Sequence, residues 1–471
     1  MKNRTVISGI RGTAILLAAA VSALTGCAST GPAEPYAKKI EYKLVVEGFE
    51  WGPAITKVVL IFSDSVSGNS FDAKTFTVKA GDTARTVINA YLADEKGAPA
   101  ESGNRIAIEL KTGYADAAAL PPFGGPIENS SPFTYNLETA RNEWVPLDIY
   151  TITTNEGKSV TAGGKARTIA VSPENYAGRI APSSDDLVKA SHTFKGIKLN
   201  YASYENVKLG KDGGKNPLII WLHGAGGGSA DDVDIALYDN DVTTIIEPDI
   251  QGYFKKNGLE GAYVLYPQAP TWWMDNGRGE MTAQGPQSAF TEALKDLIDT
   301  YLAAHPDIDT GRIYLGGCSN GGYMTVNMLV HYPGFFAAAY PICEAFLDNE
   351  LTDDAITSLA KEAVWFTHSA NDPVVNPQDT VVPTYARLAK AGAQNIHFSF
   401  YERVTGQDAP GIEYLGHFSW IYVLQDRTSL DQDFTAARSG GDAAIKAPSA
   451  LPVKVNGVDA TLWGWLAEQK K

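Results

Sequence analysis

Two hydrophobic rhythms divide the chain. Up to about residue 172, apolar residues come in short alternating runs: EYKLVVEGF, KVVLIFSD, FTVKA, RTVINAYLAD, RIAIELK, VPLDIYTITT and ARTIAVS. Gly, Asn, Asp and Pro separate the runs and no helical period appears, so the pattern predicts an all-β sandwich over residues 38–172. After a connecting stretch, residues 173–189, the runs become continuously apolar or β-rich: NPLIIWLHG, GAYVLYPQAP, GRIYLGGCS, FFAAAYPIC, AVWFTHSAND and NIHFSFYE. Helix-like stretches such as SAFTEALKDLIDTYLAAH and GYMTVNMLVHY lie between several of them. Strands buried on both faces and alternating with helices predict a mostly parallel α/β sheet over residues 190–471, ending in the helix ATLWGWLAEQ.

The N-terminus follows neither rhythm. Lys2, Arg4 and Arg11 precede an apolar run from Ala14 to Leu24, and then comes Leu24-Thr-Gly-Cys27. A basic start, a short apolar stretch and small residues before a cleavage point predict a signal peptide over residues 1–26. The LTGC resembles the bacterial lipoprotein box, which implies lipidation of Cys27. Ordinary cleavage with an incidental cysteine is the alternative. Residues 27–37, small and polar, read as a tether. The protein is thus expected to be exported and held at a bacterial membrane by its lipid alone, on the periplasmic or cell-surface side.

Composition narrows the partners. With 44% hydrophobic and 20% charged residues the chain is globular, and 471 residues call for two or three domains. A net charge of -15 argues against a general nucleic-acid binder, which needs a basic face. Besides Cys27 there are two cysteines, Cys318 and Cys343, in segments predicted to be strands. An oxidising compartment permits a disulfide between them, and two buried thiols are the alternative.

The candidate chemistry centres on GGCSNGGYM, residues 316–324. Gly317-Cys-Ser319-Asn-Gly321 has the form G-x-S-x-G, which is weak evidence alone. Here it lies between a predicted strand and a predicted helix, the setting of a nucleophile elbow. The serine needs a base. His305 and His331 fall at helix ends, His397 and His368 lie in strand-like runs, and His192 lies upstream of the sheet. His417, in EYLGHFSW, follows the last strand on a Gly-bearing loop and fits the order Ser, acid, His. Asp372, just beyond a strand in HSANDPVVNP, is the expected acid, with Asp379 as fallback. In LIIWLHGAGGG the glycines after His223 suit an oxyanion hole, whose donors are expected to be Ala225 N–H and Asn320 N–H. No Gly-Lys-Ser/Thr follows to make it a phosphate loop. No metal-ligand spacing appears, so no metal or cofactor is expected.

On LIIWLHGAGGG, YVLYPQAP, IYLGGCSNGGYMT, VWFTHSANDPVVNP and GHFSW, the chain resembles the α/β-hydrolase fold over most of residues 215–425. More narrowly it looks like the secreted esterase branch related to feruloyl esterases and polyhydroxybutyrate depolymerases. The stretch VEGFEWGPAITKVVLIFSD resembles the Ig-like domain that precedes the catalytic domain in some bacterial esterases. The resemblance implies Ser319, Asp372 and His417 as a triad. His223, Trp272, Trp273, Glu344 and Trp420 are further candidates to line the substrate site. Core packing is the alternative for the tryptophans, and solvent exposure for Glu344. Asn200–Lys215 reads as a hairpin arm at the sheet edge, and Thr428–Asn456 as an insertion able to form a lid or binding loop.

The expected activity is serine carboxylic-ester hydrolysis on short-chain, aryl or acylated carbohydrate esters, from small molecules to polysaccharide. The alternatives are a peptidase of the prolyl-oligopeptidase type, whose β-propeller repeat is not visible here, and a cell-surface lipoprotein that binds glycan or polymer. The sequence leaves the oligomeric state open.

Overall fold

A computed structural model of the chain describes residues 32–120, 124–205, 214–239, 241–256, 258–281, 285–428 and 454–471. The signal segment, Cys27 and most of the expected 428–456 insertion lie outside the described residues. Among those described, no helix is long and apolar enough to cross a membrane.

The first unit is a two-sheet β structure. Its larger sheet is built on Glu41–Phe49 and Gly52–Val66, with Gly103–Leu110 and Val87–Leu92 on one side. The smaller sheet holds Thr83–Arg85, Phe76–Ala80, Tyr150–Thr154 and Ala170–Val171. Alternation does what the pattern requires: Phe76, Val78 and Ala80 are buried while Thr77 and Lys79 face solvent. The inner faces pack Tyr42, Leu44, Val58, Leu60, Ile106 and Ile152 into one core.

This unit runs further than expected. Tyr176–Ile180, inside the stretch read as a connector, pairs in parallel with Glu41–Phe49, setting Arg179 opposite Leu44 and Ile180 opposite Val45. Two flanking prolines, Pro173 and Pro182, and the glycine Gly178 suggest a linker, but the backbone of Glu41–Phe49 offers an unpaired edge, and pairing satisfies both segments.

The second unit is an eight-stranded sheet: β1 (Val188–Phe194), β2 (Ile197–Tyr204), β3 (Asn216–Leu222), β4 (Tyr263–Gln268), β5 (Ile308–Cys318), β6 (Ala338–Ile342), β7 (Val364–Ser369) and β8 (Ile396–Tyr401). Their spatial order is 1-2-4-3-5-6-7-8. β2 is antiparallel to both neighbours, and the remaining pairs are parallel. The hairpin at the sheet edge is therefore β1–β2, twelve or so residues earlier than the expected Asn200–Lys215 arm, of which 206–213 lie outside the described residues. His192 belongs to β1 and pairs with Asp296 at 2.6 Å, within the sheet rather than upstream of it.

Every residue of β3 and β4 is buried, because helices cover both faces. Leu218, Ile220 and Leu222 of β3 join one core with α1 (Thr291–Ala304) and α2 (Asn320–His331), while Ile219 and Trp221 join the other with Trp463 and Trp465. The two units also share packing: Ile235 and Tyr238, from a short helix after β3, bury in the core of the β unit.

Candidate active site

The loops at the carboxyl ends of β3, β5, β6 and β7 bring the candidate residues together. Ser319 sits between β5 and α2 with φ 54° and ψ -112°, a conformation that costs a non-glycine residue roughly 1–3 kcal/mol. Its backbone is pinned by Ser319 N–H donating to Ile342 O and Tyr323 N–H donating to Ser319 O, both 2.8 Å. The flanking glycines are needed for space. A Cβ on Gly317 or Gly321 would run into the carbonyl oxygen of Leu222 at the end of β3, and one on Gly322 into the Ile342 carbonyl.

Asp372 lies just beyond β7 and is buried. Its Oδ1 accepts from Val374 N (2.8 Å) and Val375 N (3.0 Å), and its Oδ2 lies 2.7 Å from His417 Nδ1 and 3.0 Å from His368 Nε2. Burial pushes this carboxyl's pKa up, but the bonds to His368 and His417 more than offset it and hold it well below the usual carboxylate range. Asp379, the fallback acid, is instead exposed and accepts from Asn376 Nδ2 at 2.7 Å. His417 is in a short turn after β8. Ser369 Oγ donates to Gly416 O, and Gly416 packs so closely on Asn371 that no Cβ would fit. With Nδ1 committed to Asp372, Nε2 is the nitrogen left for proton transfer. Trp420 packs edge-on against the His417 ring, centroids 5.4 Å apart.

Between the elbow and the Asp372–His417 pair lies Cys343, at the end of β6. Its sulfur, an Asp372 oxygen and a His417 nitrogen lie within 4.8 Å of one another. Cys343 and Cys318 are not bridged. Both are buried thiols whose pKa burial raises well above the ordinary value. The register explains why: β5 sets Cys318 opposite Ile342, and its sulfur packs under Gly224, whereas Cys343 faces Asp372 and His417.

The expected oxyanion loop follows β3. Neither Ala225 N–H nor Asn320 N–H makes a hydrogen bond within the described residues. His223 is not a substrate-binding residue here. Its ring is buried, with Nε2 accepting from Ala269 N (3.0 Å) and Nδ1 2.6 Å from Gly224 O. An acceptor at Nε2 requires the proton on Nδ1, so the ring is neutral and ties the loop to the segment after β4. Burial lowers its pKa to about 4.

That segment also ends against the elbow, where Asn320 Oδ1 accepts from Trp273 N at 2.5 Å. Trp273 is fully buried against the His223 ring at 5.1 Å, which makes it core packing. Trp272 is nearly buried, with the Arg141 guanidinium 5.7 Å from its ring. Glu344 is not solvent-exposed: it is 1% exposed beside Gly322, accepts from Phe346 N at 2.7 Å, and burial pushes its pKa up to about 8.

The remaining histidines do other work. His305 and His331 bond carbonyls four residues back at helix ends, and His397 bonds Asn395. Two contributions escaped the sequence reading. His368 lies in a strand-like run, and nothing in a strand-to-loop junction signals that its side chain returns to Asp372. The other is the β unit, whose hairpin Phe133–Trp144 reaches the oxyanion loop. There Asn142 Nδ2 donates to Asp239 Oδ1 at 2.6 Å and lies against Gly226, and Arg141 donates to Pro270 O at 3.3 Å.

The strand order, the strained serine turn and the loops gathered at the carboxyl edge make this an enzyme of the α/β-hydrolase class, preceded by an Ig-like β domain. Within that class, residues 204–406 match the family described as phospholipase/carboxylesterase, and residues 41–166 match the esterase Ig-like N-terminal domain. A crystal structure of a thermostable esterase superposes with a TM-score of 0.61 at 22% identity, covering 83% of this chain and 96% of that one. Poly(3-hydroxyalkanoate) depolymerase C of Paucimonas lemoignei is 28% identical over 134 residues, 27% of this chain. The chain thus spans about a quarter of the length of that curated relative, 27%.

Proposed function

We propose that the protein is a serine carboxylic-ester hydrolase in which Ser319 attacks the acyl carbon, His417 carries the proton and Asp372 orients His417. The observation that carries this is the buried Asp372–His417 pair at 2.7 Å at the same sheet edge as a serine at φ 54° on a strand–helix turn. Attack transfers the serine proton to His417 Nε2 and gives a tetrahedral oxyanion, for which Ala225 N–H and Asn320 N–H are the proposed donors. Collapse expels the alcohol, protonated by His417, and leaves an acyl-serine. Water, deprotonated by the same nitrogen, then releases the acid. Short-chain and aryl esters, including acetyl or feruloyl groups on carbohydrate, are the proposed substrates. Lipidation at Cys27, with export to a membrane face, completes the reading and rests on the LTGC motif.

The test compares the protein with its Ser319→Ala variant on a short p-nitrophenyl ester, methyl ferulate and a proline-containing peptide amide. Ester turnover that disappears in the variant supports the reading, and the ferulate arm reports whether aryl acyl groups fit. Cleavage of the amide alone would make the protein a peptidase, and turnover of nothing would leave ligand binding.

A further inference from the structure

We propose that Glu50, in the Ig-like domain, is a positioning residue for His417, so that this domain is a working part of the hydrolase site. The inference rests on the Ser319–His417–Asp372 reading above. Glu50 lies in the turn between Glu41–Phe49 and Gly52–Val66 and is 2% exposed. No cationic side chain pairs with it among the described residues. Its carboxylate is instead satisfied by one loop of the hydrolase unit. Oε2 accepts from Gln407 N at 2.9 Å, and Oε1 accepts from Asp408 N and Tyr414 OH, each at 2.8 Å. Asp408 Oδ2 in turn accepts from Glu50 N at 3.0 Å. Gly406 passes so close that any Cβ there would overlap the Glu50 carboxylate.

A carboxylate buried without a cation is costly unless its oxygens are fully hydrogen-bonded, so its position and that of its three donors fix each other. Gln407 and Asp408 follow Val404–Thr405, which pairs with the strand Glu413–Tyr414 that carries the third donor, and His417 comes three residues after Tyr414. Trp51 and Tyr114 of the Ig-like domain extend the contact, with Tyr114 edge-on to Tyr414 at 5.0 Å. On its opposite side the His417 turn is held by Ser369 and Asn371 at the end of β7. The segment carrying the base is thus clamped between the central sheet and the Ig-like domain, and Glu50 is the polar anchor on the outer side.

The test uses Glu50→Gln, which keeps the size but turns an amide N–H against one of the donors, and Tyr414→Phe, which removes a single donor. For each, kcat and KM on the p-nitrophenyl ester are measured per active site titrated with an organophosphonate, beside a thermal melt. Displacing a catalytic group by 1 Å can cost roughly 100-fold, and a loosened anchor is expected to lower kcat on the order of 10-fold in Glu50→Gln, less in Tyr414→Phe, with KM held. The rate of Ser319 phosphonylation should fall in parallel, because it needs the same base. Should Glu50→Gln not fold, Tyr414→Phe decides. Unchanged kcat per titrated site in the folded variants, with only the melting temperature lowered, would make Glu50 simple domain adhesive and overturn the proposal. Full turnover by Ser319→Ala would instead remove the triad reading itself.

Discussion

Acidification from pH 7 to pH 5 should cost the folded protein about 2 kcal/mol through His223 alone, and replacing His223 with Gln should abolish that share. The folded pKa of His223, about 4, lies below its ordinary 6.5. Between those values the unfolded chain holds the proton and the folded chain does not. Protons therefore favour unfolding, and stability rises with pH across this window. The whole window, 2.5 pH units, corresponds to about 3.4 kcal/mol, and a little over half of it, about 2 kcal/mol, falls between pH 7 and 5. Burial is the main cause, and a proton on Nε2 would in addition set it against the Ala269 N–H that it now accepts. The wild-type curve mixes several groups. His397, also lowered to about 4 by burial, acts in the same direction, whereas Glu344, raised to about 8, gains stability as pH falls. The difference between wild type and His223→Gln isolates the one ring. Urea unfolding followed by fluorescence at pH 7, 6 and 5 is the assay. The variant is expected to be about 1–3 kcal/mol weaker at pH 7, with the gap closing by about 2 kcal/mol at pH 5. A gap that stays constant to within about 0.5 kcal/mol would refute the neutral, bond-accepting role of this ring.

Gly321→Ala should lower kcat/KM by roughly 100-fold or more in soluble protein, since the new Cβ forces the elbow away from the Leu222 and His223 carbonyls that border the oxyanion loop. Ordinary turnover in that variant would show that the loops do not meet this closely. His368→Leu removes one donor from Asp372 Oδ2 and should reduce kcat about 10-fold. An unchanged kcat in that variant would count against the coupling of His368 to the Asp372–His417 pair. In iodoacetamide labelling read by peptide mass, Cys318 and Cys343 should resist reaction in the native protein and react in urea without reductant. A Cys318–Cys343 cross-linked peptide would contradict the register.

What could be read along the chain was what short-range physics writes into it. Alternating runs marked the Ig-like strands, continuous apolar runs marked the sheet buried on both faces, and the glycines around Ser319 marked a turn with no room for side chains. The order Ser319, Asp372, His417 followed from the positions of these motifs relative to predicted strand ends. The edges of units were less legible, as Tyr176–Ile180 shows, because an unpaired strand edge leaves no mark on the sequence that fills it. Partnerships set by loop path and tertiary packing were invisible. Nothing local ties His368 to Asp372, turns Glu344 inward, parts Cys318 from Cys343, or joins Glu50 to Gln407, 357 residues away. Periodicity and turn chemistry specify which elements form and which face each buries, so the class of fold and the parts of a hydrolase site are legible from the residues alone. Which side chain meets which carboxylate depends on register, loop path and the docking of one domain on another, and these emerge when the chain is folded.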